Sequence, residues 1–157
     1  MPSNVIAKTK SALKKREVII LLLTAVVFAT AVFGLKYNAT RTRILEVGGH
    51  SYRLEGATTK EEHEKGLSDR KSLPKDHGML FLFQKEDKEC FWMKNMEFPL
   101  DILWLDGARK VVHLERDVSP DTYPQAICPS EKATYVIELN AGQAAEAGIL
   151  PGQMLNF

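Results

Sequence analysis

The sequence predicts a mainly β domain, a compact antiparallel β-sandwich or barrel-like fold with one or two short helices, preceded by a single N-terminal transmembrane helix. Three observations predict it. Seven or eight short apolar or alternating stretches are separated by turn signals roughly every ten residues. The helical patterns are too few and too short to cross over between parallel strands. An uncharged apolar run, Val18–Leu35, stands ahead of all of them.

That run, VIILLLTAVVFATAVFGL, is 18 residues long, near the lower end of the roughly 17–25 that span a bilayer as a helix. With Lys36 it makes an anchor over residues 18–36, and residues 1–17 are a basic tail. Lys8, Lys10, Lys14, Lys15 and Arg16 lie before the run, against Lys36, Arg41 and Arg43 just after it. This bias puts the N-terminus in the cytoplasm and the domain outside. The rival is a cleavable signal peptide, with Val18–Phe28 as its apolar core and Ala29-Thr30-Ala31 as the cleavage pattern, which would release a secreted domain. The 17 residues ahead of the core and the continuation through Val32, Phe33 and Leu35 weigh against it. Residues 37–42 read as a short stalk and 43–157 as the β domain.

In the domain, Arg43–Val47 and His50–Leu54 flank Gly48-Gly49, a two-residue hairpin signal. Thr58 with Glu61, or Thr59 with Glu62, forms a capping box for a short polar helix that Gly66 stops. Asp69–Gly78 is a loop. Met79–Phe83, MLFLF, suits a strand covered on both faces. Cys90–Met93 and Leu100–Leu105 follow, and Asp106-Gly107 turns the chain into Lys110–Leu114. Asp117–Pro129 reads as a long loop. Thr134–Leu139 is a strand, Gln143–Ala147 an Ala-rich helical turn, and Gln153–Phe157 a last strand.

FWMKNMEFPLDILWL, Phe91–Leu105, sets Lys94, Asn95 and Asp101 inside an apolar stretch. From Met96 onward the even positions, Met96, Phe98, Leu100, Ile102 and Trp104, share one face. The register changes around Lys94–Pro99, where proline cannot donate to a ladder, so a bend or bulge is expected there. Together with Gly66-Leu67, Arg70, Leu73, GMLF at Gly78–Phe81, FWMKN at Phe91–Asn95, PLDI at Pro99–Ile102 and VIELNAG at Val136–Gly142, the stretch resembles the DUF192 family, a group of domains of unknown function. The resemblance runs from Arg43 to Phe157. It implies a compact, mostly β sandwich-like domain, often secreted or membrane-tethered, and no particular reaction. Ser68 stands where that family commonly has methionine. Met96 stands where it commonly has threonine, and a thioether cannot replace a hydroxyl.

Arg70, Trp92, Lys94, Asn95, Asp101 and Glu138 form the candidate polar cluster. As a ligand site they would line a shallow pocket rimmed by Trp92, taking a polar or anionic ligand such as a glycan or envelope fragment. As a structural device, Arg70 and Asp101 would be a buried ion pair fixing segment 57–78 against the sheet, costly to break by about 3–5 kcal/mol. Glu138, set among apolar neighbours, would face inward toward Lys94 or Arg70, or else face solvent. Cys90 and Cys128 are an even pair suited to a disulfide in an oxidising compartment. His50, His63, His77 and His113 lack metal-ligand spacing, and no cofactor motif is present. Residues 36–157 carry 16 basic and 19 acidic side chains, net −3, without the basic patch that nucleic acid needs. The expected role is a non-catalytic binding or accessory module at the cell envelope. The alternatives are a hydrolase acting on envelope polymers through Asp101 and a second carboxylate, such as Glu97 or Glu138, and a protein-interaction domain.

Overall fold

The computed structural model describes Glu17, residues 19–31 and residues 42–157. The chain divides into two units, Met1–Thr40 and Arg41–Phe157. In the first, residues 19–31 are helical and their side chains exposed. Among the described residues no helix is long and apolar enough to cross a membrane, so the transmembrane helix expected from the sequence is not found there. The rest of that anchor, residues 18 and 32–36, lies outside the described residues, as do the basic tail up to residue 16 and most of the stalk.

The second unit is mainly β. Strands β1 (Thr42–Val47) and β2 (His50–Ala57) form the hairpin that Gly48-Gly49 predicts, with both glycines at positive φ. Helix α1 (Lys60–Lys65) follows, and its N-terminus is the expected capping box of Thr59 and Glu62. Then come β3 (His77–Asp87), β4 (Phe91–Trp92), β5 (Leu100–Leu105) and β6 (Val111–Val118). A 3-10 turn (Pro120–Thr122) leads to β7 (Ala126–Ile127), β8 (Ala133–Asn140) and α2 (Gln143–Glu146).

Six strands make one sheet in the order β1-β2-β3-β8-β5-β6, and β4 pairs with β7 in a second, small sheet. Neither sheet is closed into a barrel, which corrects that part of the expectation. The large sheet is also not wholly antiparallel: β2 and β3 run parallel. The crossover between them, residues 58–76, needs only the six-residue α1 and a loop, so the shortness of the helix did not exclude a parallel pair. Asn140 Nδ2 anchors that loop by donating to Leu73 O and Pro74 O at 3.0 and 3.1 Å. The expected last strand, Gln153–Phe157, is one bridge between Lys110 and Met154, held by Leu155 N on Arg109 O and Val111 N on Gln153 O. The long loop after β6 is interrupted by the 3-10 turn and β7.

The sheet carries an apolar core on each face, so β5, flanked by β8 and β6, is buried at every residue. Leu45, Tyr52, Leu54, Leu80, Leu103, Leu105, Ile137 and Leu139 pack on one face with Ala144, Ile149 and Leu155. Leu67, Leu73, Met79, Phe81, Met93, Leu100, Ile102, Trp104 and Val136 pack on the other. Met96 and Phe98 pack against this second core, as the even-position pattern predicts, and Phe91 joins them from before the register change. The Trp104 indole is wholly buried and its Nε1 donates to Glu89 O at 2.8 Å, which meets the hydrogen-bonding demand of a buried indole. Gly78 explains the glycine of GMLF. A Cβ there would stand 2.7 Å from Glu138 O and 2.8 Å from a Leu54 methyl.

Candidate ligand cleft over Glu138

The sheet separates the polar residues that the sequence placed together. Asp101 pairs in register with Leu139, whereas Glu138 pairs with Ile102. Neighbouring positions on a strand point to opposite faces, so the two carboxyl groups lie on opposite sides of the sheet. Asp101 is fully buried. One oxygen accepts from Asp117 N at 2.9 Å and the other from Ala144 N at 2.8 Å. Its role is local. The β5–β6 register slips between Leu100 and Ile102, Asp117 adopts a positive φ of 53° opposite this bulge, and Asp101 holds its N–H. The N-cap residue of α2 is Gly142, which supplies no side-chain cap, and Asp101 supplies that cap from the neighbouring strand. Asp101 therefore ties the PLDI segment to the AG turn after β8.

The expected Arg70–Asp101 pair does not form. Arg70 instead makes a two-pronged pair with Glu55 on β2, each nitrogen 2.8 Å from its oxygen. The Arg70 hydrogen bonds hold the Glu55 carboxyl below its ordinary range and push the guanidinium up. Both side chains stay partly exposed, at 34% and 42%, so water moderates the pair. Lys94 and Asn95 are exposed residues of a turn. Their carbonyls bind the loop after α1: Ser68 Oγ donates to Lys94 O at 2.8 Å and Asp69 N to Asn95 O at 2.9 Å. Asn95 sits at φ 54°, a left-handed conformation that asparagine tolerates. Lys94 Nζ lies over the half-exposed Trp92 ring, 5.6 Å from its centre.

Glu138 does face inward, toward Arg70. It occupies the floor of a cleft of about 470 Å³ between α1, the strand β3, the β4 strand and the loop at Gly66–Ser68. Rings of His63, Phe81, Phe83, Phe91 and Trp92 line it, with Met96 beside them. Phe81 meets Phe91 edge to face at 4.8 Å between centres, and His63 stacks obliquely on Phe83 at 4.5 Å. Gly66 lets the backbone pass directly above the floor; a Cβ there would meet the Phe81 ring at 3.3 Å and Glu138 Oε2 at 3.9 Å. Glu138 is 5% exposed and its Oε2 is buried without a hydrogen-bond partner. Desolvation pushes its pKa from 4.5 to about 8, although Arg70 pulls the other way, so at neutral pH it is held as the uncharged acid.

Several polar groups near it are engaged. His63 Nε2 bonds Ala57 O at 3.0 Å, and since a carbonyl only accepts, that nitrogen carries a proton. Gly66 N donates to Glu62 O and Ser68 Oγ to Lys94 O. The floor of the cleft thus offers aromatic rings and one acid with an unmatched oxygen, and Lys60, Glu64, Lys65, Gln84 and Glu89 also line the cleft. The sequence flagged Glu138 and Trp92 but missed His63, Phe81, Phe83 and Phe91 as walls, because a chain position does not say which ring opens onto a cavity. The signal for Glu138 was a carboxylate alternating with core residues in TYVIEL. Met96 adds an apolar thioether side chain to the lining of this cleft.

The expected disulfide is present: Cys90 and Cys128 are bonded across 38 residues of chain. It clamps the β4–β7 pair, in which Phe91 faces Ile127 and Trp92 faces Ala126, and so fixes the ring-bearing wall. Among the described residues no group of three His, Cys, Asp or Glu is placed to hold a metal ion.

Two solved structures share the fold. One is a 1.55 Å crystal structure of a protein taken for a transcription regulator in Sinorhizobium meliloti 1021: it is 32% identical, the match covers 72% of this chain and 89% of that one, and the TM-score is 0.67. The other is a 1.22 Å structure of a protein of unknown function from Novosphingobium aromaticivorans DSM 12444, also 32% identical with a TM-score of 0.67, over 74% of this chain and 83% of that one. No curated protein matches. The profile of the DUF192 family, described as Uncharacterized ACR, matches residues 43–157, and with its motifs now placed around one sheet the chain belongs to that family.

Proposed function

We propose that this chain is a membrane-anchored, extracytoplasmic module that binds a small, mostly apolar molecule in the cleft over Glu138, without catalysis of its own. One observation carries the binding reading: Glu138 Oε2 is buried and unpartnered on the floor of an aromatic-lined cavity. A buried polar atom left unmatched costs about 1–3 kcal/mol, and a ligand supplying the match would recover it. The cleft volume falls in the roughly 300–1,000 Å³ range of small-molecule sites. A glycan, with many hydroxyls, suits a floor of aromatic rings around one acid less well.

The location rests on sequence and covalent chemistry. The disulfide suits an oxidising compartment. The uncharged run Val18–Leu35 with its basic flank suits a membrane anchor with the domain outside. A hydrolase working through Asp101 is disfavoured, because both oxygens of that carboxylate already accept backbone N–H groups on the other face of the sheet. The regulator assignment of the Sinorhizobium relative finds no support in the charge of residues 36–157, net −3 from 16 basic and 19 acidic side chains.

The test is a nuclear magnetic resonance titration with benzyl alcohol, an apolar ring with one hydrogen-bonding group. Saturable shifts at the Met96 methyl and the Phe91 ring, abolished by the plugging variant Met96→Trp, are expected. Unmoved resonances at millimolar probe would remove the cleft as a binding site.

A further inference from the structure

The walls and floor of the cleft make the same electrostatic request, and one ligand class answers both. Four uncharged aromatic side chains, Phe81, Phe83, Phe91 and Trp92, line it, and an aromatic face attracts a cation within about 6 Å of its centre. The floor holds one carboxyl group with an unmatched oxygen. Arg70, the fixed cation that acts on Glu138, is already neutralised by Glu55 through two 2.8 Å contacts. At the rim an ammonium group is already seated on one ring, since Lys94 Nζ lies 5.6 Å from the Trp92 centre. We infer that the cleft takes an organic ammonium cation, with Glu138 as its counter-ion and the surrounding rings as its walls. This deepens, and rests on, the reading of the cleft as a ligand site.

Donors near the floor are engaged in His63–Ala57, Gly66–Glu62 and Ser68–Lys94 contacts, while Lys60, Lys65 and Gln84 also bring donor side chains to the lining. An anion at the floor would meet an acid and the faces of the rings. A cation there meets one acid and π faces, which suit it. Binding moves a single proton: the Glu138 O–H bond breaks, its proton passes to the buffer, and the carboxylate pairs with the incoming ammonium. The charged groups around the floor do not oppose this as a set. Lys60 and Lys65 on α1 are balanced by Glu64 on α1 and Glu89 before β4, with His63 on the α1 wall, Lys94 held on Trp92 and Arg70 held by Glu55.

The experiment uses the intact chain and phenyltrimethylammonium, whose charge does not titrate, against neutral benzyl alcohol. Calorimetry at pH 8.5 should give the cation at least tenfold tighter binding than the alcohol. Cation affinity should rise about tenfold per unit from pH 6 to 7.5 and level off above pH 8, with about one proton released per ligand at pH 7. Glu138→Gln, the neutral isostere of the acid, should weaken cation binding at pH 8.5 by tenfold or more and flatten the profile. His63→Gln should keep the slope. Benzyl alcohol binding as tightly as the cation, or cation affinity indifferent to pH and to Glu138→Gln, overturns the inference while leaving the cleft a ligand site. Binding of neither probe removes both readings.

Discussion

Glu138 makes the stability of the domain depend on pH in a direction unusual for a carboxyl group. Burial raises its folded pKa from 4.5 to about 8. A group whose folded pKa lies above its unfolded value stabilises fully below the unfolded value, and that contribution is lost as pH rises through the folded one. The window therefore runs from about pH 4.5 to about pH 8. The unfolded chain ionises freely in it, while the folded chain must keep the acid neutral. At about 1.4 kcal/mol per pKa unit, raising the pH from 5 to 9 should cost the wild type about 4 kcal/mol through this one group. Glu138→Gln keeps the shape and removes the proton. Urea unfolding of residues 41–157, disulfide intact, should show the stability difference between variant and wild type swinging toward the variant by about 4 kcal/mol from pH 5 to pH 9. Other titrating groups are common to both proteins and cancel in the difference. A difference that stays flat within about 1 kcal/mol would refute both the burial argument and the neutral-acid floor of the cleft.

The other interactions predict distinct outcomes. Asp101→Ala leaves the buried Ala144 N and the partly buried Asp117 N without their acceptor, and should cost about 3 kcal/mol by the same urea assay. Arg70→Met and Glu55→Gln should couple in a double-mutant cycle by about 1 kcal/mol, modest because both side chains are partly exposed. Arg70→Met with Asp101→Ala should instead be additive, as the two residues share no partner. The depressed Glu55 pKa adds stability that is lost as pH falls through its folded value, so Glu55→Gln should flatten the most acidic limb of a thermal profile. Gly78→Ala forces a methyl against Glu138 O and Leu54 and should destabilise by about 1–3 kcal/mol. Reducing Cys90–Cys128 frees a loop across 38 residues of sequence and should cost about 4 kcal/mol on chain entropy, read as a drop in Tm.

Local chemistry made much of the domain legible. The Gly48-Gly49 hairpin, the Thr59–Glu62 cap, β5 at Leu100–Leu105 and the core face of Met96, Phe98, Leu100, Ile102 and Trp104 each depend on neighbours a few residues apart. Pairing between distant strands was less legible. Nothing in residues 58–76 announces that β2 and β3 lie parallel, because the crossover is mostly loop. The candidate cluster failed for a related reason. Asp101 and Glu138 are each a polar residue in an apolar strand, and sequence alone does not give the register that sets them on opposite faces. Arg70 was correctly expected to hold a carboxylate, but its partner is Glu55, which lies in an alternating strand where an acidic residue looks like an ordinary solvent-facing one. Asp101 carried a visible signal, a charge between Leu100 and Ile102, yet its backbone N–H partners come from the β6 bulge and α2, and both depend on the folded sheet.

The protonation state of Glu138 can be observed directly. A carbon-13 titration of the Glu138 carboxyl, assigned by its loss in Glu138→Gln, should show the uncharged acid at pH 7 and a midpoint near pH 8, moving down when phenyltrimethylammonium is added. A midpoint at pH 5 or below would mean that the floor of the cleft is already an ionised, matched carboxylate, and would contradict the account.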